Sequence, residues 1–205
     1  MRWATAVRTA EQVAERCAHV AAQPPGIVRL RVSEAWLWGP LLGPGADEVP
    51  DVGGVGAALV CDAAAEDCAW GTAPPGAGQW LAASGLARRP VRLVFRPAGQ
   101  PVWNHAVVRP VRFWSVDDGP DEAVLAAVRA GQGEALRPPP PAPGELAQRL
   151  ERELAASLAA VRRTSADHDA HRWSPGSPVA RADALADAVR GHLELLDARA
   201  GAVGG

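Results

Sequence analysis

The sequence predicts an α+β fold: an N-terminal helix, a mainly antiparallel sheet of about five strands plus a helix, and then a C-terminal helical hairpin. Three observations predict it. Apolar residues recur at helical spacing near the start and throughout the last quarter of the chain. Short β-branched runs set off by glycine and proline lie between them, and Pro138-Pro-Pro-Pro141-Ala-Pro143-Gly144 divides the sheet-forming part from the tail.

In residues 2–22, Trp3, Val7, Ala10, Val13, Cys17 and Val20 fall three or four apart, and Gln23-Pro24-Pro25-Gly26 ends the helix. Ile27 to Val32 alternates apolar and charged residues and reads as a strand. Val55 to Val60, between glycine-rich turns, reads as a well-buried one. After a Gly/Pro/Ala-rich connection bearing Trp70 and Trp80, Val91 to Arg96 alternates again. Val102 to Val107 and Val111 to Val116 follow at hairpin spacing, each set off by proline. Asp117-Asp-Gly-Pro120-Asp-Glu122 signals a helix start, with Pro120 in its first turn. In the tail, Leu146, Leu150, Leu154, Leu158 and Val161 mark one helix face, and Leu185, Val189, Leu193 and Leu196 another, on either side of a loop at Trp173-Ser-Pro-Gly176. This organisation gives a sheet domain over 1–136, a polyproline linker over 137–144 and a hairpin over 145–205. Two helices cannot close a core alone, so the hairpin is expected to pack on the sheet domain or to form a homodimer through the C-terminal helices.

Composition excludes several classes. The 205 residues are 48% hydrophobic and 21% charged, with a formal net charge of -2, which excludes a disordered chain and gives no strong nucleic-acid signal. No apolar run is long enough to cross a bilayer, so no membrane partner is expected and the location expected is cytoplasmic. All 21 basic residues are arginine and tyrosine is absent, so there is no P-loop lysine, Schiff-base lysine or tyrosine nucleophile. Cys17, Cys61 and Cys68 match no zinc spacing and read as reduced core thiols. Asp167-His-Asp-Ala-His171 is dense in metal-ligating types, but nothing upstream completes a site, and it reads as a solvated loop at the end of a helix.

Charge is segregated. Residues 32–67 hold seven acids and no arginine, whereas residues 68–116 hold six arginines and no acid. One consequence is cross-strand pairing; the other is a surface for a nucleotide or an acidic protein face. The densest recognition chemistry is Trp103, Asn104, His105, Arg109, Arg112 and Trp114, because indoles and guanidinium groups dominate binding hot spots.

Trp36-Leu-Trp-Gly39-Pro40, followed by Glu48, Asp51 and the Val55 to Val60 strand, resembles the core of the nucleotidyltransferase fold. In that family a strand ends in Gly-Ser, a carboxylate-x-carboxylate pair opens the next strand, and a third carboxylate lies on a neighbouring one. The resemblance implies Gly39 at the nucleotide, with Glu48, Asp51 and Asp117 holding magnesium if the protein is active. This sequence departs from the pattern: Pro40 replaces the serine, Glu48 and Asp51 are three apart, and Pro50 and Gly53 stand where second carboxylates belong. The expectation is therefore a non-catalytic or weakly catalytic binding or regulatory module. An active magnesium-dependent nucleotidyl- or phosphotransferase is the alternative, and a structural interaction protein without ligand the third. Over the whole chain, Arg2 to Val7, Trp38 to Leu42, Ala58 to Val60, Ala69-Trp-Gly71, Pro101 to His105, Pro110 to Ser115 and Leu193 to Ala198 are similar to the landmarks of a family of actinobacterial proteins of similar length, a domain of unknown function. That resemblance implies kinship and carries no catalytic residue.

Overall fold

The computed structural model describes residues 1–24, 26–45, 48–49, 55–171 and 178–203. Asp51, Pro50, Gly53 and Trp173 lie outside the described residues. The chain divides into two compact units, residues 1–63 with 75–140, and residues 64–74 with 141–205.

In the first unit, α1 spans Trp3–Ala21 and buries Ala6, Val7, Ala10, Val13, Ala14, Cys17 and Val20, the stripe its spacing predicts. Five strands follow: β1 Val32–Trp38, β2 Val55–Cys61, β3 Val91–Pro97, β4 Val111–Ser115 and β5 Gly119–Pro120. Their order is β3-β2-β1-β4-β5. The pairs are antiparallel except β2 with β3, which is parallel. That exception requires a crossover. The crossover contains α2, Ala77–Ser84, whose Trp80 is 1% exposed and meets Phe95 of β3 edge-on at 6.3 Å. α3, Glu122–Arg129, is capped by Asp121, whose carboxylate accepts from the Val124 N–H at 3.0 Å.

The core lies between these helices and one face of the sheet. Ala35 and Leu37 of β1 and Ala57 and Leu59 of β2 are fully buried, and α1 contacts β1, β2 and β4. Side chains two apart share a face, so Glu34, Trp36 and Trp38 of β1 look the other way with Gly56, Ala58 and Val60 of β2. On that second face the Trp38 ring lies over Gly56, where a Cβ would come within 2.7 Å of it, and the Arg92 guanidinium sits 5.3 Å from the ring centroid.

Several expectations are corrected. The strand expected at Ile27 to Val32 begins only at Val32. Val28 and Leu30 are buried as their alternation requires, but Arg31 N–H donates to the Asp62 side chain (2.9 Å) instead of to a sheet ladder. Val102 to Val107 is a loop, for a reason given below. Pro120 belongs to β5, and the helix starts after it. The Asp167 to His171 cluster is the last turn of a helix and not a loop beyond it, with His171 bonded within that helix to Asp167.

All three cysteines are free and buried. Burial pushes the Cys17 thiol up from 9.0 to about 12. Between those values the folded state holds a proton that the unfolded chain has released, so stability falls as pH rises through that window, by up to about 1.4 kcal/mol per pH unit. With no lysine or tyrosine in the chain, thiols are the side chains that titrate there. The urea midpoint is expected to fall from pH 8.5 to pH 11 and to fall less steeply in Cys17→Ala; parallel curves would refute this.

In the second unit, α4 Pro143–His171 and α5 Pro178–Val203 form the expected hairpin. Ser157 Oγ lies 2.7 Å from His192 Nδ1 across it. The segment 64–74 packs on the hairpin: Arg163 reaches the Glu66 carbonyl (3.1 Å) and Asp67 (3.3 Å), and the Trp70 indole N–H donates to Glu194 (2.7 Å). The buried face of α5 is Ala188, Gly191 and Leu195, whereas Val189, Leu193 and Leu196 are exposed. Position 191 takes glycine because the backbone of Trp70 and Gly71 approaches it too closely for a side chain.

Candidate functional site

Gly39 closes β1 with φ +85°, a conformation suited to glycine, and a 3-10 turn over Pro40–Leu42 follows. The resemblance implies a short helix after the glycine; the structure has a three-residue 3-10 turn there. The carboxylates are distributed differently. β2 (Val-Gly-Ala-Ala-Leu-Val-Cys) and β3 (Val-Arg-Leu-Val-Phe-Arg-Pro) carry none. Glu48 is exposed and bridges the backbone of Arg2, at the start of α1. Asp117 is exposed just beyond β4, next to Val116, whose N–H donates to the Ser33 carbonyl at the first turn of β1. Asp117 and Gly39 are thus at opposite ends of β1, about 20 Å apart by the rise of seven residues. Among the described residues, no group of three or more His, Cys, Asp or Glu side chains could hold a metal ion.

The recognition residues are gathered more closely. Residues 99–110 fold over the second face of the sheet and enclose a cleft of about 370 Å³, lined by Glu34, Trp36, Val60, Trp103 and Gln100 and by prolines 101, 110 and 138. Asn104 shapes this loop. It is 3% exposed, and its Oδ1 accepts from the N–H groups of Ala106 (2.9 Å) and Val107 (2.8 Å) while its own N–H donates to the Val107 carbonyl (3.1 Å). Those bonds turn the chain back on itself, which is why Val102 to Val107 is not a strand.

Arginine holds the rim. Arg109, at φ +48°, donates to the Pro138 carbonyl (2.6 Å) and pairs with Glu134 (2.7 Å). Arg137 donates to the carbonyls of Gly39 (2.7 Å) and Val108 (3.1 Å), tying the β1 turn to the loop. Its burial pulls its pKa below the usual arginine value, Glu134 opposes that shift and Arg109 adds to it. Arg112 bridges Glu34 (3.3 Å) and Asp118 (3.5 Å), and Glu34 also accepts from the Trp36 indole N–H (2.8 Å). Arg109 and Arg112 therefore already have counter-charges, and Arg112 with Glu34 is a cross-strand pair from the segregated segments. Arg88 and Arg89 are exposed.

Of the sequence-derived binding residues, Trp103 lines the cleft, Asn104 shapes it, Arg109 braces it and Arg112 adjoins it through Glu34. Gly39 joins through Arg137, and His105 is half-buried in the loop. Trp114 is elsewhere: it pairs with Ala35 in the core and is 2% exposed. The sequence assigns no binding role to Trp36, Glu34 or Arg137. The alternation Glu34-x-Trp36-x-Trp38 does signal a shared face, whereas the long-range role of Arg137 leaves no local signal.

A second cavity, of about 260 Å³, lies beside the end of α1, with walls that are mostly aliphatic. Its Asp62 and Ser33 are engaged with the Arg31 N–H and the Val60 carbonyl.

Asn104→Ala removes the acceptor from two N–H groups, one fully buried, and is expected to lower stability by about 2 kcal/mol. Asn104→Asp keeps an acceptor and is expected to lose less in urea unfolding; equal losses would show that the loop does not depend on these bonds.

The model of one family, described as Domain of unknown function (DUF7711), matches residues 1–201. No curated protein matches the chain, and no solved structure matches it.

Proposed function

We propose that this chain, which belongs to the DUF7711 family, is a non-catalytic binding module on a nucleotidyltransferase-like sheet, and that it takes a nucleotide in the cleft between Trp36 and Trp103. The observation that carries this reading is the cleft itself. Its volume of about 370 Å³ falls in the range of small-molecule sites. Two indoles and three prolines offer flat apolar walls on which a base can stack, a contact worth about 1–3 kcal/mol per base. Glu34 and Gln100 supply an acceptor and an amide for a base edge. Arg112, about half exposed and paired with Glu34 and Asp118, turns to the phosphates by exchanging one of those carboxylates. Binding there needs no metal.

The absence of a carboxylate from β2 and β3, and the distance of Asp117 from Gly39, argue against two-metal transfer, which needs carboxylates on one face. An acidic protein face is the second reading. It is favoured by Arg88 and Arg89, adjacent, exposed and without an ion pair among the described residues.

The experiment combines α-labelled ATP, magnesium or manganese, and cell extract, with equilibrium dialysis of ATP in EDTA alongside. The expected result is metal-independent binding and no labelled acceptor. Metal-dependent labelling that disappears in Asp51→Ala or Glu48→Ala would replace this reading with the active transferase.

A further inference from the structure

We infer that two copies of the chain pair through α5, antiparallel, about a two-fold axis near Leu193. The helix presents an apolar stripe that its own hairpin does not use. Val189, Leu193 and Leu196 are 39%, 54% and 40% exposed, half-buried Leu185 and exposed Ala200 continue the line, and the inner face is Ala188, Gly191 and Leu195. Intervals of four, four, three and four residues keep these positions on one side of the helix.

The stripe is nearly symmetric about its middle. Reversing the helix around Leu193 sets Leu193 against itself, Val189 against Leu196 and Leu185 against Ala200, so every apolar position meets another. A self-complementary patch of this kind is what an isologous contact requires.

Charge selects the direction. Arg190 and Asp197 are seven residues apart and lie on the same edge of the stripe. Antiparallel pairing brings Arg190 alongside Asp197 of the partner subunit, and the symmetry repeats the pair. Parallel pairing would put these same-edge residues on opposite flanks of the seam, where neither reaches its counterpart on the other copy. In the single chain Arg190 contacts Asp187 of its own helix at 2.8 Å, with both side chains more than half exposed, so exchanging that partner costs little. The stripe from Leu185 to Ala200 is about 22 Å long. A contact of that length lies at the small end of specific interfaces, and the dimer is therefore concentration-dependent.

Sedimentation of the full chain over a concentration series tests this. The expected result is a reversible monomer–dimer equilibrium. Leu193→Asp, at an exposed position, should leave circular dichroism unchanged and give monomer throughout. Arg190→Glu should weaken the dimer about tenfold or more, and adding Asp197→Arg should recover most of that loss. A chain monomeric at every concentration, or a dimer indifferent to Leu193→Asp, would overturn the inference. A charge swap that recovers nothing would overturn the antiparallel pairing.

Discussion

Gly191→Ala is expected to destabilise the second unit by about 3 kcal/mol, lowering its melting temperature by about 12–24 °C. The sign is the informative part. In an exposed helix interior, exchanging glycine for alanine stabilises by up to about 1 kcal/mol. Here the new Cβ would collide with the Trp70 carbonyl oxygen and come within 2.8 Å of the Trp70 carbonyl carbon and 3.0 Å of Gly71 Cα. These are backbone atoms of a segment held to the hairpin through Trp70 with Glu194 and Arg163 with Asp67, so they cannot swing aside as a side chain would. Gly71 is constrained from the other side: its φ is +81°, and a Cβ on it would approach the Asp187 carbonyl at 2.7 Å. Thermal unfolding of Gly191→Ala beside Gly201→Ala, where a Cβ meets nothing within 4 Å, separates packing from propensity. A stabilised Gly191→Ala would show that segment 64–74 does not pack on α5 as described.

The second large effect concerns binding. Trp103→Ala is expected to weaken ATP affinity at least tenfold, the loss of one stacking wall, while changing the urea midpoint little. Trp103 is only half-buried, and Asn104 continues to hold the loop through its own bonds. Trp114→Phe serves as the control, because Trp114 is in the core away from the cleft. Loss of stability without loss of affinity in Trp103→Ala would make that indole a structural residue.

How much of this was legible in the sequence depended on whether the signal was local. β2 was readable because Val55 to Cys61 is buried on both faces and so is apolar without interruption. α1 was readable from its stripe. The loop at Val102 to Val107 was not, because one buried asparagine outweighs Val102, Trp103 and Val107 by turning the backbone. α2 was missed for a related reason: eight residues with glycine at both caps resemble a connection until Trp80 is seen against Phe95. In α5 the large aliphatic residues looked like the inner face, yet Gly191 lies inside because a second backbone crosses there. The binding residues were partly legible. Trp103, Asn104 and Arg109 are neighbours in sequence as well as in space, whereas Trp36, Glu34 and Arg137 reach the same region only through strand register and a contact between residues 98 positions apart.

The most direct test of the central claim is the indole N–H region of a nitrogen-15 spectrum during titration with ATP in EDTA. The chain has eight tryptophans, and single Trp→Phe variants assign their resonances. The account predicts saturable shifts of Trp36 and Trp103, with those of Trp70, Trp80 and Trp114 left in place. Silent Trp36 and Trp103 resonances at millimolar ATP would contradict it, as would shifts that require magnesium.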